Sequence, residues 1–182
     1  MKVSVYIATS LDGFIARPDG SLDWLPGAES DPEPAEGDEA AANDWAEFWS
    51  SVDCLIQGRK TFEKVQSFGR WPYAGMRVIV LSESLTAVPE AMRDKAEIRS
   101  GDPRALVEQL AADGHRHLYV DGGQTIQAFL RQGLVTDMKI ATVPVLIGDG
   151  IPLFGPLEED IALAQVQTKT LPWGMVQSTY AV

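Results

Sequence analysis

Residues 117–125, His-Leu-Tyr-Val-Asp-Gly-Gly-Gln-Thr, place two glycines directly between a strand pattern and a helix pattern. Residues 117–121 are apolar enough for a buried strand, and residues 125–132 have helical spacing that Gly133 closes. Glycines at such a junction let the backbone approach a ligand, and the free N–H groups of a helix start can hold a phosphate. The turn lacks the GxGxxG spacing of an ordinary Rossmann domain. Taken alone, it fits either a phosphate site or a plain tight turn.

A second strand-end turn has the same arrangement. The segment 58–61, Gly-Arg-Lys-Thr, follows a strand pattern and precedes a helical turn. Its adjacent cations suit the pyrophosphate and the 2′-phosphate of NADPH. A solvated pair of cations on a surface turn explains the same residues equally well. The two turns together favour a dinucleotide more than either turn does alone.

The rest of the chain alternates between strand-like and helix-like segments. Strands are predicted at 2–9, 53–57, 76–81, 117–121 and 138–146, helices at 61–66, 103–113 and 125–132, and a C-terminal hairpin over 162–169 and 174–181. Pro144 indicates that its strand is an edge strand or contains a bulge. This order predicts an α/β fold in one domain, 1–182, with a mainly parallel sheet and an antiparallel end.

Residues 26–40 contain three prolines and many acids but almost no large apolar side chains. This composition predicts a flexible acidic loop within the domain. A helix should follow it, because Trp45, Phe48 and Trp49 fall on one helical face. From this composition and from its place beside Trp24, we expect the loop to act as a mobile lid over the substrate.

The composition excludes several classes of function. The 182 residues carry a net charge of −11, which argues against nucleic acid as a partner. Cys54 is the only cysteine, and His115 and His117 are the only histidines, so we expect no metal site. No apolar run reaches the length of a membrane span, and the chain is expected in the cytoplasm.

Five motifs occur in one order along the chain: 10–16 (Ser-Leu-Asp-Gly-Phe-Ile-Ala), 58–63 (Gly-Arg-Lys-Thr-Phe-Glu), 77–82 (Arg-Val-Ile-Val-Leu-Ser), 120–123 (Val-Asp-Gly-Gly) and 144–154 (Pro-Val-Leu-Ile-Gly-Asp-Gly-Ile-Pro-Leu-Phe). Together they resemble the dihydrofolate-reductase superfamily, over about the whole chain. More closely, they resemble the reductase domain of the riboflavin-biosynthesis deaminase-reductase and its stand-alone relatives. The resemblance implies a dihydrofolate-reductase-like three-layer sandwich, NADPH as cofactor and hydride transfer to a small heterocyclic substrate.

The resemblance also implies the cofactor contacts. The phosphates would be held by Gly58, Arg59, Lys60 and Thr61, the pyrophosphate by Gly122, Gly123, Gln124 and Thr125, the adenosine would border Leu81, Ser82 and Glu83, and the nicotinamide would lie between Ala8 and Ile15.

The substrate side is implied by fewer residues. Asp121 stands where the riboflavin reductases usually have a glutamate, and it could orient or protonate the substrate. Asp12 is the second catalytic candidate, and Asp12 and Trp24 would line the substrate. Asp44 lies on the helix where folate-reducing relatives keep their substrate carboxylate, with Glu47 beside it. Exposed helix acids explain both residues better.

Several readings stay open at this point. The substrate could be the phosphoribosylated pyrimidine of riboflavin synthesis, or dihydrofolate or another pteridine. The chain has no zinc-deaminase ligands, so it would be a reductase alone. Two alternatives are not enzymes. One is a non-catalytic NADPH-binding module, and the other is a purely structural dimer. We expect a homodimer, from the resemblance and because the apolar stretch 140–147 would be hazardous as an open edge strand.

Overall fold

The computed structural model describes residues 1–27 and 39–182, with side chains from residue 43 onward in the second range. The strands are β1 (Lys2–Ser10), β2 (Phe14–Ala16), β3 (Cys54–Gly58), β4 (Arg77–Leu81), β5 (Glu97–Arg99), β6 (His117–Asp121), β7 (Asp137–Val143), β8 (Ile151–Pro152), β9 (Ala164–Thr170) and β10 (Val176–Ala181). The helices are α1 (Glu39–Ser51), α2 (Arg59–Ser67), α3 (Pro103–Ala112) and α4 (Gly123–Arg131), with 3₁₀ turns at Glu90–Met92 and Pro172–Gly174.

Eight strands form one sheet in the order β5-β4-β3-β6-β1-β7-β10-β9, and β2 pairs with β8 in a small second sheet. The strands from β5 to β7 are parallel, whereas β10 and β9 add an antiparallel hairpin. The predicted fold class, a mostly parallel sheet with a C-terminal antiparallel hairpin, is confirmed. The carboxyl ends of β3, β4, β6 and β1 therefore meet at one edge of the sheet, which we call the carboxyl edge.

The sheet has a hydrophobic core on each face, because the side chains of each strand point alternately to the two faces. On one face Val5 and Ile56 pack against Leu110 of α3 and Phe129 of α4. On the other face the core includes Phe48 of α1, Phe62 of α2, and Leu55, Val80 and Tyr119 of the sheet. Successive strand residues point to opposite faces, so a sheet that is covered on both sides needs both sets to be apolar. The result is the three-layer arrangement.

The structure corrects the predicted edge strand at 138–146. Strand β7 ends at Val143, just before Pro144, and it is paired with β1 on one side and with β10 on the other. The C-terminal hairpin adds outside β7, so the argument that 140–147 would form an exposed edge is wrong. The outer strands of the sheet are β5 and β9.

The predicted acidic loop is described only at its ends. Pro26 and Gly27 form a turn, and α1 already begins at Glu39. Residues 28–38 lie outside the described residues, and the lid hypothesis stays a prediction.

Candidate functional site

The two glycine turns interlock at the carboxyl edge. A Cβ atom on Gly58 would lie 2.8 Å from the Oγ1 atom of Thr125. A Cβ atom on Gly122 would collide with the hydroxyl of Thr61. Each turn therefore places its hydroxyl residue against the glycine of the other, which only glycine permits. The tertiary structure brings together the two turns that the sequence analysis singled out.

Helices α2 and α4 begin at these turns without a side-chain cap. Gly58 and Gly122 occupy their N-cap positions, and no described side chain accepts from their first-turn N–H groups. Helix α3 differs, because its cap Asp102 accepts from the N–H groups of Arg104 (3.0 Å) and Ala105 (3.1 Å). Uncapped N–H groups and the positive end of the helix dipole favour an anion. Two such helix starts side by side form a cradle suited to a pyrophosphate.

The two cations of the 58–61 turn are available to a ligand. Arg59 forms an i,i+4 ion pair with Glu63, with its Nη1 atom 2.9 Å from Oε1, and both side chains are more than a third exposed. Such exposed pairs contribute little stability, so a phosphate can displace Glu63. Lys60 is exposed on the same turn.

The residues that were expected to border the adenosine lie at the end of β4 and just after it. Leu81 is the last residue of that strand, and it pairs with Gly58. The Ser82 hydroxyl accepts from the Leu85 N–H at 3.0 Å, and the Glu83 carboxylate accepts from the Gly101 N–H at 2.7 Å. Both polar side chains therefore hold the loops that flank this end of the carboxyl edge.

The expected nicotinamide residues lie on the other side of the glycine turn. A Cβ atom on Gly123 would lie 3.0 Å from Ile15 Cδ1, so the side chain of Ile15 packs directly on that glycine. Ala8, near the end of β1, and Trp24 both pack against a small core cluster, formed by Ala141, Val143, Leu171 and Met175. Gln124 is exposed at the start of α4.

Asp121 is the carboxylate nearest to the cradle. It ends β6 and accepts from the Gly122 N–H at 2.8 Å. Burial raises the pKa of Asp121 from its ordinary 3.8 to about 6, against the opposing effect of that hydrogen bond. Burial, together with the negative charge of Asp121, also raises the pKa of Tyr73. A carboxyl group with a pKa near neutrality can hold and release a proton, which is the property that general acid catalysis requires.

Asp12, the second catalytic candidate, is engaged with a loop. Its Oδ2 atom accepts from the N–H groups of Gly148 (2.8 Å) and Ile147 (3.1 Å). A hydrogen bond from the Ser10 side chain lowers the pKa of Asp12, and these backbone hydrogen bonds lower it further. The carboxylate is therefore ionised, and it joins the end of β1 to the 147–148 turn.

Asp44 lies in a cluster with two lysines. One carboxylate oxygen is 3.0 Å from Lys139 Nζ and 2.9 Å from Lys169 Nζ, and the other accepts from the Tyr6 hydroxyl at 3.0 Å. Burial acts to raise the pKa of Asp44, but the lysines and the Tyr6 hydroxyl outweigh it and lower that pKa. The sequence analysis missed the lysines, because they come from β7 and β9. Glu47 is exposed.

Two polar side chains at this site are buried without a hydrogen-bond partner among the described residues. The Nε1 atom of Trp24 is one, and its ring packs against the small core cluster that contains Ala141. The amide of Gln57 is the other, with both its nitrogen and its oxygen unpaired. The sequence analysis did not single out Gln57. The available signal was one polar residue at the end of the apolar run 54–56.

The chain belongs to the RibD C-terminal domain family, whose sequence model matches residues 1–177. A curated relative is the uncharacterized protein YwjB of Bacillus subtilis, which is 33% identical over 92% of this chain and 91% of the relative. The riboflavin biosynthesis protein RibD of Mycobacterium tuberculosis is 24% identical over 91% of this chain but only 47% of its own length. The chain thus corresponds to about half of that protein.

Solved structures agree with this assignment. A protein from Shewanella sp. PV-4, provisionally described as a riboflavin biosynthesis protein, superposes with a TM-score of 0.88 and 37% identity, over 100% of this chain and 98% of that one. RibD of Acinetobacter baumannii superposes with a TM-score of 0.67 and 15% identity, over 99% of this chain and 57% of that one. The predicted resemblance to a reductase domain of the riboflavin type is confirmed.

Residues 1–27 and 39–182 show neither a membrane span nor a cluster of metal ligands. Within these ranges, no helix has the length and hydropathy needed to cross a bilayer. The same residues contain no group of three or more His, Cys, Asp or Glu side chains placed to hold a metal ion.

Proposed function

We propose that this protein is an NADPH-dependent reductase that transfers hydride to a riboflavin-pathway pyrimidine of the 5-amino-6-(5-phosphoribosylamino)uracil type. The observation that carries the proposal is the pair of uncapped, glycine-started helices α2 and α4 at one sheet edge. Membership of a reductase-domain family supports the same class of activity.

The residues at this edge fit a dinucleotide. The backbone N–H groups at the starts of α2 and α4 would hold the pyrophosphate, and Arg59 and Lys60 would hold the 2′-phosphate. Gly58, Gly122 and Gly123 keep these turns packed together, because a Cβ atom on them would meet Thr125, Thr61 or Ile15. Ile15 and Ala8 would flank the nicotinamide, as the resemblance implies. When bound, NADPH supplies the hydride, and the protein supplies orientation and a proton.

Asp121 would supply that proton. Its carboxyl group is half-buried and directly precedes the pyrophosphate turn, and burial raises its pKa to about 6. Near that pH a substantial fraction of the group is protonated and can donate to the reduced substrate. The low pKa of Asp12 makes it unsuited to donation, so we assign Asp12 to fixing the loop beside the substrate.

The Asp44 cluster favours a pyrimidine over a pteridine. Folate-reducing relatives keep a substrate carboxylate on this helix, but Asp44 is paired with Lys139 and Lys169. A carboxylate between two ammonium groups is a poor partner for the cationic edge of a pterin. The two lysines instead leave this part of the site with a net positive charge, which suits an anionic substrate.

The direct test is a titration of the purified protein with NADPH and, separately, with NADH, in which binding is measured by the fluorescence of its five tryptophans. We expect saturable binding with a preference for NADPH. Oxidation of NADPH at 340 nm is then measured with 5-amino-6-(5-phosphoribosylamino)uracil and, separately, with dihydrofolate. We expect turnover with the pyrimidine only.

The other outcomes distinguish the rival functions. Tight NADPH binding without turnover of either compound would indicate a non-catalytic binding module. No binding of either nucleotide would leave only a structural role and would overturn the proposal. Turnover with dihydrofolate alone would replace the pyrimidine by a pteridine.

We also propose that the protein forms a homodimer, on the basis of the family resemblance, and that it is cytoplasmic, on the basis of its single free, buried cysteine, Cys54. Light scattering at micromolar protein concentration tests the dimer. A monomeric mass would contradict it.

A further inference from the structure

Gln57 is a fully buried polar residue on an otherwise apolar strand. It is 0% exposed, as are its strand neighbours Cys54, Leu55 and Ile56. Neither its Nε2 nor its Oε1 atom forms a hydrogen bond with any group in the described part of the chain. Burial of an amide without a partner costs free energy, and an apolar side chain at this position would avoid that cost. The glutamine therefore requires an explanation other than packing.

Gln57 lies beside the residue that is proposed to donate the proton. Gln57 is paired in register with Asp121 on β6 and with Val80 on β4, and it immediately precedes Gly58. Paired residues of neighbouring strands project from the same face of a sheet. The unpaired amide is therefore next to the carboxyl group to which the proposed function assigns the proton.

A second unpaired group lies on the same edge. The indole N–H of Trp24 is buried without a partner among the described residues, and its ring packs against the same small core cluster as Ala8 of β1. The buried Oε1 atom of Gln132 is a different case, because the Nε2 atom of that side chain already donates to Asp102 at 2.7 Å. The buried Nε2 atom of Gln66 also has no described partner, but it lies in the last turn of α2, whereas only the first turn of that helix faces this edge. The two unpartnered side chains at the edge where the ligands are expected indicate that a ligand completes them.

We propose that the Gln57 amide determines substrate specificity by pairing with a ring –CO–NH– edge of the heterocycle. Its Oε1 atom would accept from the ring N–H, and its Nε2 atom would donate to the adjacent ring carbonyl. This inference rests on the proposed function and names the part of the substrate that is recognised. The carboxamide of the nicotinamide presents the same donor and acceptor, so the experiment has to separate the two sources.

The experiment uses calorimetric titration of the NADP⁺-saturated full chain with 5,6-diaminouracil and with its N3-methyl analogue. We expect the unmodified protein to prefer the parent compound by at least about tenfold, because methylation removes the hydrogen that Oε1 accepts. Gln57→Met, which keeps the volume but removes the amide, should bind the two compounds with equal affinity. Its affinity for NADPH should not change.

Two further variants keep the result interpretable. Gln57→Glu keeps the size but, at a pH where it is ionised, cannot donate to the carbonyl, so it should then also lose affinity for the parent compound. Gln66→Met is the matched control, because the Nε2 atom of Gln66 on α2 is also buried without a described partner. It should keep the full preference for the parent compound.

Retention of the tenfold preference by Gln57→Met would overturn the assignment, with or without a change in melting temperature. A weaker affinity for NADPH with an unchanged preference would assign the amide to the nicotinamide and also overturn it. Failure of the proposed function appears separately, as an unmodified protein that binds neither NADPH nor 5,6-diaminouracil, and that result removes both proposals.

Discussion

The two ends of the sheet differ in whether their polar groups have hydrogen-bond partners. At the amino end, the Asp53 carboxylate accepts from the backbone N–H groups of Arg116 (2.7 Å) and His117 (3.3 Å). Ser4 Oγ lies 2.7 Å from His117 Nε2 and donates to Asp137. At the carboxyl edge, the Gln57 amide has no hydrogen-bond partner among the described residues, and the starts of α2 and α4 have no side-chain cap.

This difference separates stability from function. A saturated network stabilises the fold and has no remaining capacity for a ligand, even where it contains a serine, a histidine and an aspartate in contact. The Ser4 hydroxyl is already paired with His117 and Asp137, so this trio has no free hydrogen-bonding group to offer a substrate. Polar groups that are left unpaired cost stability, and such costs concentrate at functional sites. The following predictions test whether substitutions at the two ends separate in this way.

Asp121→Asn should give the largest effect. We expect kcat to fall by about 10²–10⁴-fold and to lose its dependence on pH near 6, because the proton donor is gone. The folded pKa of Asp121 is raised, so its ionisation destabilises the fold increasingly between pH 4 and 6, and fully above that range. The variant should therefore be more stable by about 1–3 kcal/mol at pH 8, with no gain at pH 4. Chemical denaturation at both pH values and pH–rate profiles measure this.

Gly122→Ala should weaken NADPH binding by at least about 100-fold, or about 2.7 kcal/mol. Gly122 has a φ of +90°, and an added methyl group would displace the Thr61 hydroxyl. Gly114→Ala is the control, because Gly114 has a similar φ of +97° but no atom near its missing Cβ. Both variants should lose stability, and fluorescence titration should show that only the first loses the nucleotide. Equal affinities would mean that the turn does not contact it.

Arg59→Ala combined with Lys60→Ala should weaken NADPH by about 10–100-fold and NADH by much less, because the cations serve the 2′-phosphate. Glu63→Gln is the matched control. It releases Arg59 from its ion pair, so NADPH affinity should hold or improve. Titrations with both nucleotides measure the ratio, and equal losses for NADPH and NADH would contradict this assignment.

Asp53→Ala tests the amino end and should have the smallest effect. Burial acts to raise the pKa of Asp53, but hydrogen bonds from Arg116, His115 and His117 outweigh it and lower that pKa. Its stabilising contribution is therefore present above pH 4 and is lost as the pH falls below it. We expect a loss of about 1 kcal/mol at pH 7, since the side chain is 39% exposed. A weaker affinity for NADPH in this variant would contradict the separation of the two ends.

The regular pattern of the chain predicts most of the sheet. The strands at 2–9, 53–57, 76–81 and 117–121 and the C-terminal hairpin lie within a few residues of the observed ones. The error at 138–146 has a clear cause, because a proline signals where a strand ends but not which strands pair beside it. Only the tertiary structure shows that the C-terminal hairpin pairs with β7.

The sequence by itself determined the class of fold and the two glycine turns, because strand periodicity and the conformational freedom of glycine are local properties of the chain. Only the tertiary structure decided which polar groups find partners. It joined Asp44 to lysines 95 and 125 residues further along the chain, bound Asp12 to the 147–148 turn, and left Gln57 without a partner beside Asp121. Burial and hydrogen bonding depend on neighbours that are distant in sequence, so the protonation and availability of each carboxylate are properties of the fold.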